Sequence, residues 1–142
     1  VTQVAFHHNA ADRGQAVCRL IAEQVAAGES VRVHVSDDQA AEAIDRALWT
    51  FNALSFVPHC KAGDALAERT PVVIGGGGPG AARVLVNYSN ELPPEAGRYA
   101  IVIEVVGQDG SEREAARARY RWYREQGFGL STHDLNEVNA NG

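Results

Sequence analysis

Between positions 113 and 124 the chain carries Arg113, Arg117, Arg119, Arg121 and Arg124, interleaved with Tyr120, Trp122 and Tyr123. On a helix turning about 100° per residue, Arg113, Arg117, Arg121 and Arg124 fall within an arc of about 80°, with Tyr120 at its border. Arg113–Arg117 and Arg117–Arg121 are like-charge pairs at i,i+4, each unfavourable by about 0.2–0.5 kcal/mol. A solvated face near a helix C-terminus accounts for such a stripe without any ligand, and Glu112, Glu114 and Glu125 can neutralise part of it. Guanidinium forks beside a phenol also suit recognition of a carboxylate next to an aromatic ring. The stripe sits in an acidic chain, net charge −5, whereas direct DNA binding favours a positive domain.

A second stretch with chemical potential is Gly75 to Gly80, where Gly75, Gly77 and Gly80 match G-x-G-x-x-G after an apolar run. A dinucleotide fingerprint needs the third glycine to open a helix whose N-terminus holds the pyrophosphate. Only a few residues separate Gly80 from the strand-like ARVLVN, so that helix has no room, and no Lys-Ser or Lys-Thr follows to make a P-loop. A flexible loop is the expectation. A nucleotide-dependent α/β enzyme using the Gly75–Gly80 loop is the alternative reading of the chain.

His7, His8, His34, His59 and His133 are scattered, and Cys60 beside His59 is the one His–Cys neighbour pair. No C-x-x-C, H-x-x-x-H or paired-carboxylate spacing supports a metal site, and none is expected. Asp12, Asp37 and Asp38 stand at strand-to-helix turns, where α/β enzymes keep catalytic groups and where helix capping serves equally well as an explanation. Nucleophile, base and oxyanion donors do not assemble from these residues. Cys18 and Cys60, two isolated thiols, read as small buried hydrophobes of a reducing cytoplasm.

The elements that must position these residues read as α/β. TQVAF (2–6) is a first strand. RGQAVCRLIAEQVAAG (13–28) puts Val17, Leu20, Ile21 and Val25 on one helical face, and Gly28 ends it. VRVHV (31–35) alternates as a strand, and Asp37 or Asp38 caps a helix ending near Trp49. Residues 50–70 are less regular, punctuated by Pro58 and Gly63. Strands follow at 71–74, 82–87 and 98–106, the last apolar enough to be central and covered on both faces. Ser111, with Glu114 at capping-box spacing, starts a final helix that Gly127 stops. This order predicts a single Rossmann-like domain over residues 1–130, a mostly parallel sheet with flanking helices, and a loose polar tail over 131–142. At 142 residues one core is sufficient. No apolar run reaches the ~18 residues of a membrane span, and no secretory signal stands at the N-terminus.

LWTFNALSFVPHCKAGD (48–64), a Leu-Trp helix end followed by Ser-Phe-Val-Pro-His and a glycine turn, resembles the chi subunit of bacterial DNA polymerase III. ARARYRWYREQGFGL, with its Arg-x-x-Tyr-Arg-x-Tyr-Arg-x-x-Gly-Phe spacing, resembles the same family, and the likeness covers residues 1 to about 130. Arg121 stands where the family often has lysine, and the glycine loop and polar tail are not family hallmarks. The resemblance implies a non-enzymatic clamp-loader accessory protein of the cytoplasm, without cofactor, touching DNA only indirectly. It implies two partners. One is the psi subunit, with Trp49, Phe56 and Pro58 on its surface. The other is the acidic tail of single-stranded-DNA-binding protein, which ends in phenylalanine with a free carboxylate. Arg117, Tyr120, Arg121, Arg124 and Val106 are the residues implied for that tail.

Overall fold

The computed structural model describes residues 2–51, 57–76, 80 and 82–135. Strand β1 (Gln3–Ala10) leads into helix α1 (Arg13–Ala26), and strand β2 (Val31–Val35) into helix α2 (Asp38–Thr50). Strands β3 (His59–Lys61), β4 (Val72–Ile74), β5 (Val84–Tyr88) and β6 (Ile101–Gly107) follow, then helix α3 (Gly110–Glu125) and strand β7 (Gly129–Asp134). The strands form one sheet in the order β3-β4-β2-β5-β6-β1-β7, and each described pairing is parallel.

Parallel strands need both faces covered. Val17, Leu20 and Ile21 of α1 and Ile44 and Leu48 of α2 close one face over Val31, Val33, Val86, Ile103 and Val105. Ala116 and Tyr123 of α3 close the other over Val4, Phe6, Leu85, Val102 and Val106. The apolar run of β6 is central, as its composition implies, and lies between β5 and β1.

Asp12 and Asp37 are N-caps, accepting from Gln15 N at 3.0 Å and Ala40 N at 2.8 Å. Capping therefore uses two of the three aspartates that strand-to-helix turns made catalytic candidates, and Asp38 is the first residue of α2. The cap of α3 falls two residues earlier than the sequence suggests. Asp109, not Ser111, accepts from Ser111 N at 3.1 Å and Glu112 N at 3.3 Å. Glu112, rather than Glu114, reaches back to Gly107 N at 3.1 Å.

The second difference is at the sheet margin. β7 continues through residues 131–134, which the sequence reading assigns to the polar tail, and β1 runs four residues past its expected end. Residues 3–8 of β1 pair one-to-one with 129–134 of β7. An edge strand draws its hydrogen bonds from one neighbour and leaves a face in water, so GLSTHD needs no apolar alternation to hold its place.

Candidate functional site

The geometry of the arginine stripe starts from a residue that does not belong to it. Arg119 points into the protein and is buried, as are Glu104 of β6 and Asn87 of β5 beneath it. Glu104 accepts from Arg119 Nε at 3.1 Å, from Tyr123 Oη at 2.8 Å and from Asn87 Nδ2 at 2.9 Å, while Arg119 Nη1 reaches Asn90 O at 3.0 Å. Ser89 Oγ donates to Asn87 Oδ1 at 2.6 Å. Burial pushes the Glu104 carboxyl up, against the opposing pull of Arg119 and the two neutral donors. Burial and the Glu104 charge likewise push the Tyr123 phenol up. Three charge-assisted contacts to one carboxylate fix how α3 is rotated on the sheet.

With Arg119 inward, Arg113, Arg117, Arg121 and Arg124 face solvent. No ion pair with a described residue holds any of the four. Glu112, an available neutraliser by sequence, is engaged elsewhere, 3.4 Å from Arg13 Nη1. Between α3 and the β1–β7 margin lies a cavity of about 220 Å³. Phe6, Val106 and Ala116 give it an apolar floor, Tyr120 and Thr132 form walls, and Arg113, Arg117 and His8 bring cationic or donor groups. Tyr120 is held edge-on against Phe6, ring centroids 5.4 Å apart. Such a pocket can take an apolar ring and hold an anionic group at its rim.

Of the residues singled out for tail binding, Arg117, Tyr120 and Val106 come together here. Arg121 and Arg124 lie exposed on the same helix and are not among the cavity's walls. His8, Phe6 and Thr132 are walls that sequence reasoning missed. They arrive from β1 and from β7, the strand hidden by its polar composition. Arg113 was visible on the helical arc but was not counted with the binding residues.

A second surface forms at the other sheet edge. Trp49, at the end of α2, is 57% exposed, and its ring stands edge-on to the buried His59 of β3 at 4.7 Å. His59 is seated by Val57 O, 2.8 Å from Nδ1, with Asp45 Oδ1 3.3 Å from Nε2. Pro58 is exposed beside it. Phe56, the third residue assigned to this surface, lies outside the described residues.

The glycine loop has a different occupation. Gly75, Gly76 and Gly80 all have positive φ, at 83°, 81° and 55°. Arg32 of β2 lies against them and donates through Nη1 to Gly75 O at 2.8 Å. A Cβ on Gly76 would stand 2.5 Å from that same Nη1. Gly77 is outside the described residues. Among those described, no helix intervenes between Gly80 and β5. Among the described residues, Gly75, Gly76 and Gly80 pack on an arginine and no helix N-terminus follows Gly80, where a pyrophosphate site needs one. Among the described residues no group of three or more His, Cys, Asp or Glu could hold a metal. Burial pushes the Cys18 thiol up to about 11, which makes it a core group and not a nucleophile.

Residues 1–131 match the family described as DNA polymerase III chi subunit, HolC. The chain belongs to the DNA polymerase III chi subunit family. It is 35% identical over 131 residues to the Pseudomonas aeruginosa DNA polymerase III subunit chi, covering 89% of each protein. Against the Escherichia coli chi subunit it is 32% identical over 121 residues, covering 83% of this chain and 82% of the relative. The Haemophilus influenzae chi subunit is 31% identical over 121 residues, with 83% and 84% covered. Family membership makes this a replication accessory subunit and matches the resemblance carried by the 48–64 and 116–130 stretches. Among solved structures, the C-terminal domain of the DEAD-box protein Dbp5 superposes with a TM-score of 0.62 at 15% identity, covering 98% of this chain and 93% of that one. At that identity the likeness is one of fold alone.

Proposed function

We propose that this chi-family chain is a non-catalytic adaptor of the DNA polymerase III holoenzyme. It links the psi subunit, and through it the clamp loader, to the C-terminal tail of single-stranded-DNA-binding protein. The observation that carries the reading is the α3 cleft, where the Arg117 guanidinium, the Tyr120 ring and the Val106 floor meet. A terminal phenylalanine presents an apolar ring and a carboxylate a few ångströms apart, and the cleft offers an apolar floor and a cationic rim at the same scale. Arg121 and Arg124 extend the positive field along α3 and attract the acidic residues before the phenylalanine.

The psi contact is assigned to Trp49, Phe56 and Pro58. An exposed tryptophan seated on a rigid buried ring is the kind of anchor that dominates protein interfaces. The acidic net charge of −5 fits an adaptor that reaches DNA only through its partner, since phosphate binding favours the opposite sign. The protein acts in the cytoplasm and needs no cofactor. No helix among the described residues is long and apolar enough to cross a membrane.

Trp49 stands against edge strand β3, whereas the cleft spans β6, β1 and β7, with β4, β2 and β5 between the two surfaces. At about 4.8 Å per strand the two surfaces are separated by roughly 19–29 Å. Both partners therefore fit at once. Size-exclusion chromatography of the chain with psi and single-stranded-DNA-binding protein tests this. The expected result is one ternary peak, and mutual displacement of the two partners would refute the adaptor reading.

A further inference from the structure

We propose that His8 is a specificity-determining residue of the α3 cleft, gripping the anionic end of the ligand from the wall opposite the arginines and making its binding tighten as the pH falls. The inference rests on the tail-binding reading above.

Two cavities meet at this place. The first, with the apolar floor, is bounded by His8 and Arg113 at one end. The second, about 250 Å³, is formed by His8, Asn9, Arg113 and Asp134. His8 and Arg113 are thus the two side chains common to both, one from β1 and one from α3. A ligand whose ring sits over Phe6 and Val106 carries its carboxylate toward the polar boundary, between a guanidinium and an imidazole. Arg117 supplies charge from the helix side only. Among the described residues, His8 is the one titratable donor on the sheet side of the cavity with the apolar floor.

Histidine is the side chain whose charge ordinarily changes between about pH 5 and 8. The charged groups that face it are Arg113 and Arg117 from α3 and Asp134 from β7, which takes a hydrogen bond from Asn9 Nδ2 at 3.2 Å. An anionic ligand seated against the ring favours the imidazolium over the neutral form. By linkage, binding then takes up a proton, and affinity rises as the pH falls. The neighbouring histidines lie on the other face of the sheet. His7 stacks on His133 at 4.6 Å toward α1, and burial, with His133, Arg19 and His8, holds His7 down at about 4, so it stays neutral in this range.

The test is a titration of a labelled acidic peptide ending in phenylalanine, at constant ionic strength, from about pH 8 to pH 6. The wild-type protein is expected to bind about three- to fivefold more tightly at the lower pH, the scale of one partly exposed charge pair. His8→Gln is expected to remove that slope while its thermal midpoint stays unchanged. His133→Gln is expected to keep the slope, and Arg117→Ala to keep it at much lower affinity. A peptide amidated at its C-terminus is expected to bind weakly and without the slope. A His8→Gln protein that retains the wild-type pH dependence overturns the role of His8 and leaves the tail-binding reading standing. A wild-type protein that binds the peptide at neither pH overturns the tail-binding reading and the role of His8 with it.

Discussion

Arg117 and Arg119 are two positions apart in sequence and have opposite physical roles. Arg117 is exposed at the cleft rim, and Arg119 is buried on Glu104. Arg117→Ala is expected to lower tail-peptide affinity more than tenfold, about 1.4 kcal/mol, and to leave the urea midpoint within the small range of surface substitutions. Arg119→Ala strands a buried carboxylate and is expected to destabilise the fold by about 3–5 kcal/mol, read from urea unfolding. Arg121→Glu reverses a charge one turn beyond Arg117 without altering the cleft wall. Its effect on peptide binding is expected to shrink as salt rises, because the Debye length is about 10 Å at 0.1 M. His7 gives a separate pH signature in stability. Its folded value of about 4 lies below the ordinary 6.5, so the unfolded chain binds the extra proton between those values. Stability is full above about 6.5 and is lost progressively as the pH falls toward 4. Thermal midpoints of wild type and His7→Leu over that window check this, and the variant is expected to show the shallower fall.

At the scale of elements, the described glycines of the 75–80 stretch are held by backbone conformation and by Arg32. Gly76 has φ of 81° and faces Arg32 Nη1 and Ala62 Cβ, with room for neither a side chain nor an ordinary backbone conformation. Gly76→Ala is expected to destabilise by about 1–3 kcal/mol, measured by chemical unfolding, with peptide binding unaffected. Strict alternation made β2 legible in the sequence, the Val17–Leu20–Ile21 stripe made α1 legible, and the continuous apolar run made β6 legible, because each buries its pattern. The margins were not legible. β3 is three residues long, and β7 and the end of β1 are polar strands held by backbone pairing, which leaves no periodic trace. The site followed the same division. Helical spacing grouped Arg113, Arg117, Arg121 and Arg124 without Arg119, and the family resemblance added Val106. His8 and Thr132 escaped notice because they enter from the polar strands.

For the whole molecule, the sheet separates the Trp49 surface at the β3 edge from the cleft over β6, β1 and β7, far enough apart that changes in one should not be felt in the other. Trp49→Ala is expected to weaken psi binding by about 2 kcal/mol or more while tail-peptide affinity and cooperative unfolding are preserved. Loss of cooperative unfolding would instead make Trp49 part of the core. The central claim is that the α3 cleft receives a terminal phenylalanine together with its carboxylate. The most direct measurement is calorimetric titration of the tail peptide, and of the same peptide lacking its last residue, into wild-type and Arg117→Ala protein. The full peptide is expected to bind the wild type, deletion of the phenylalanine to abolish binding, and Arg117→Ala to weaken it more than about tenfold. Equal binding of the two peptides, or an Arg117→Ala protein that binds like wild type, would contradict the central claim.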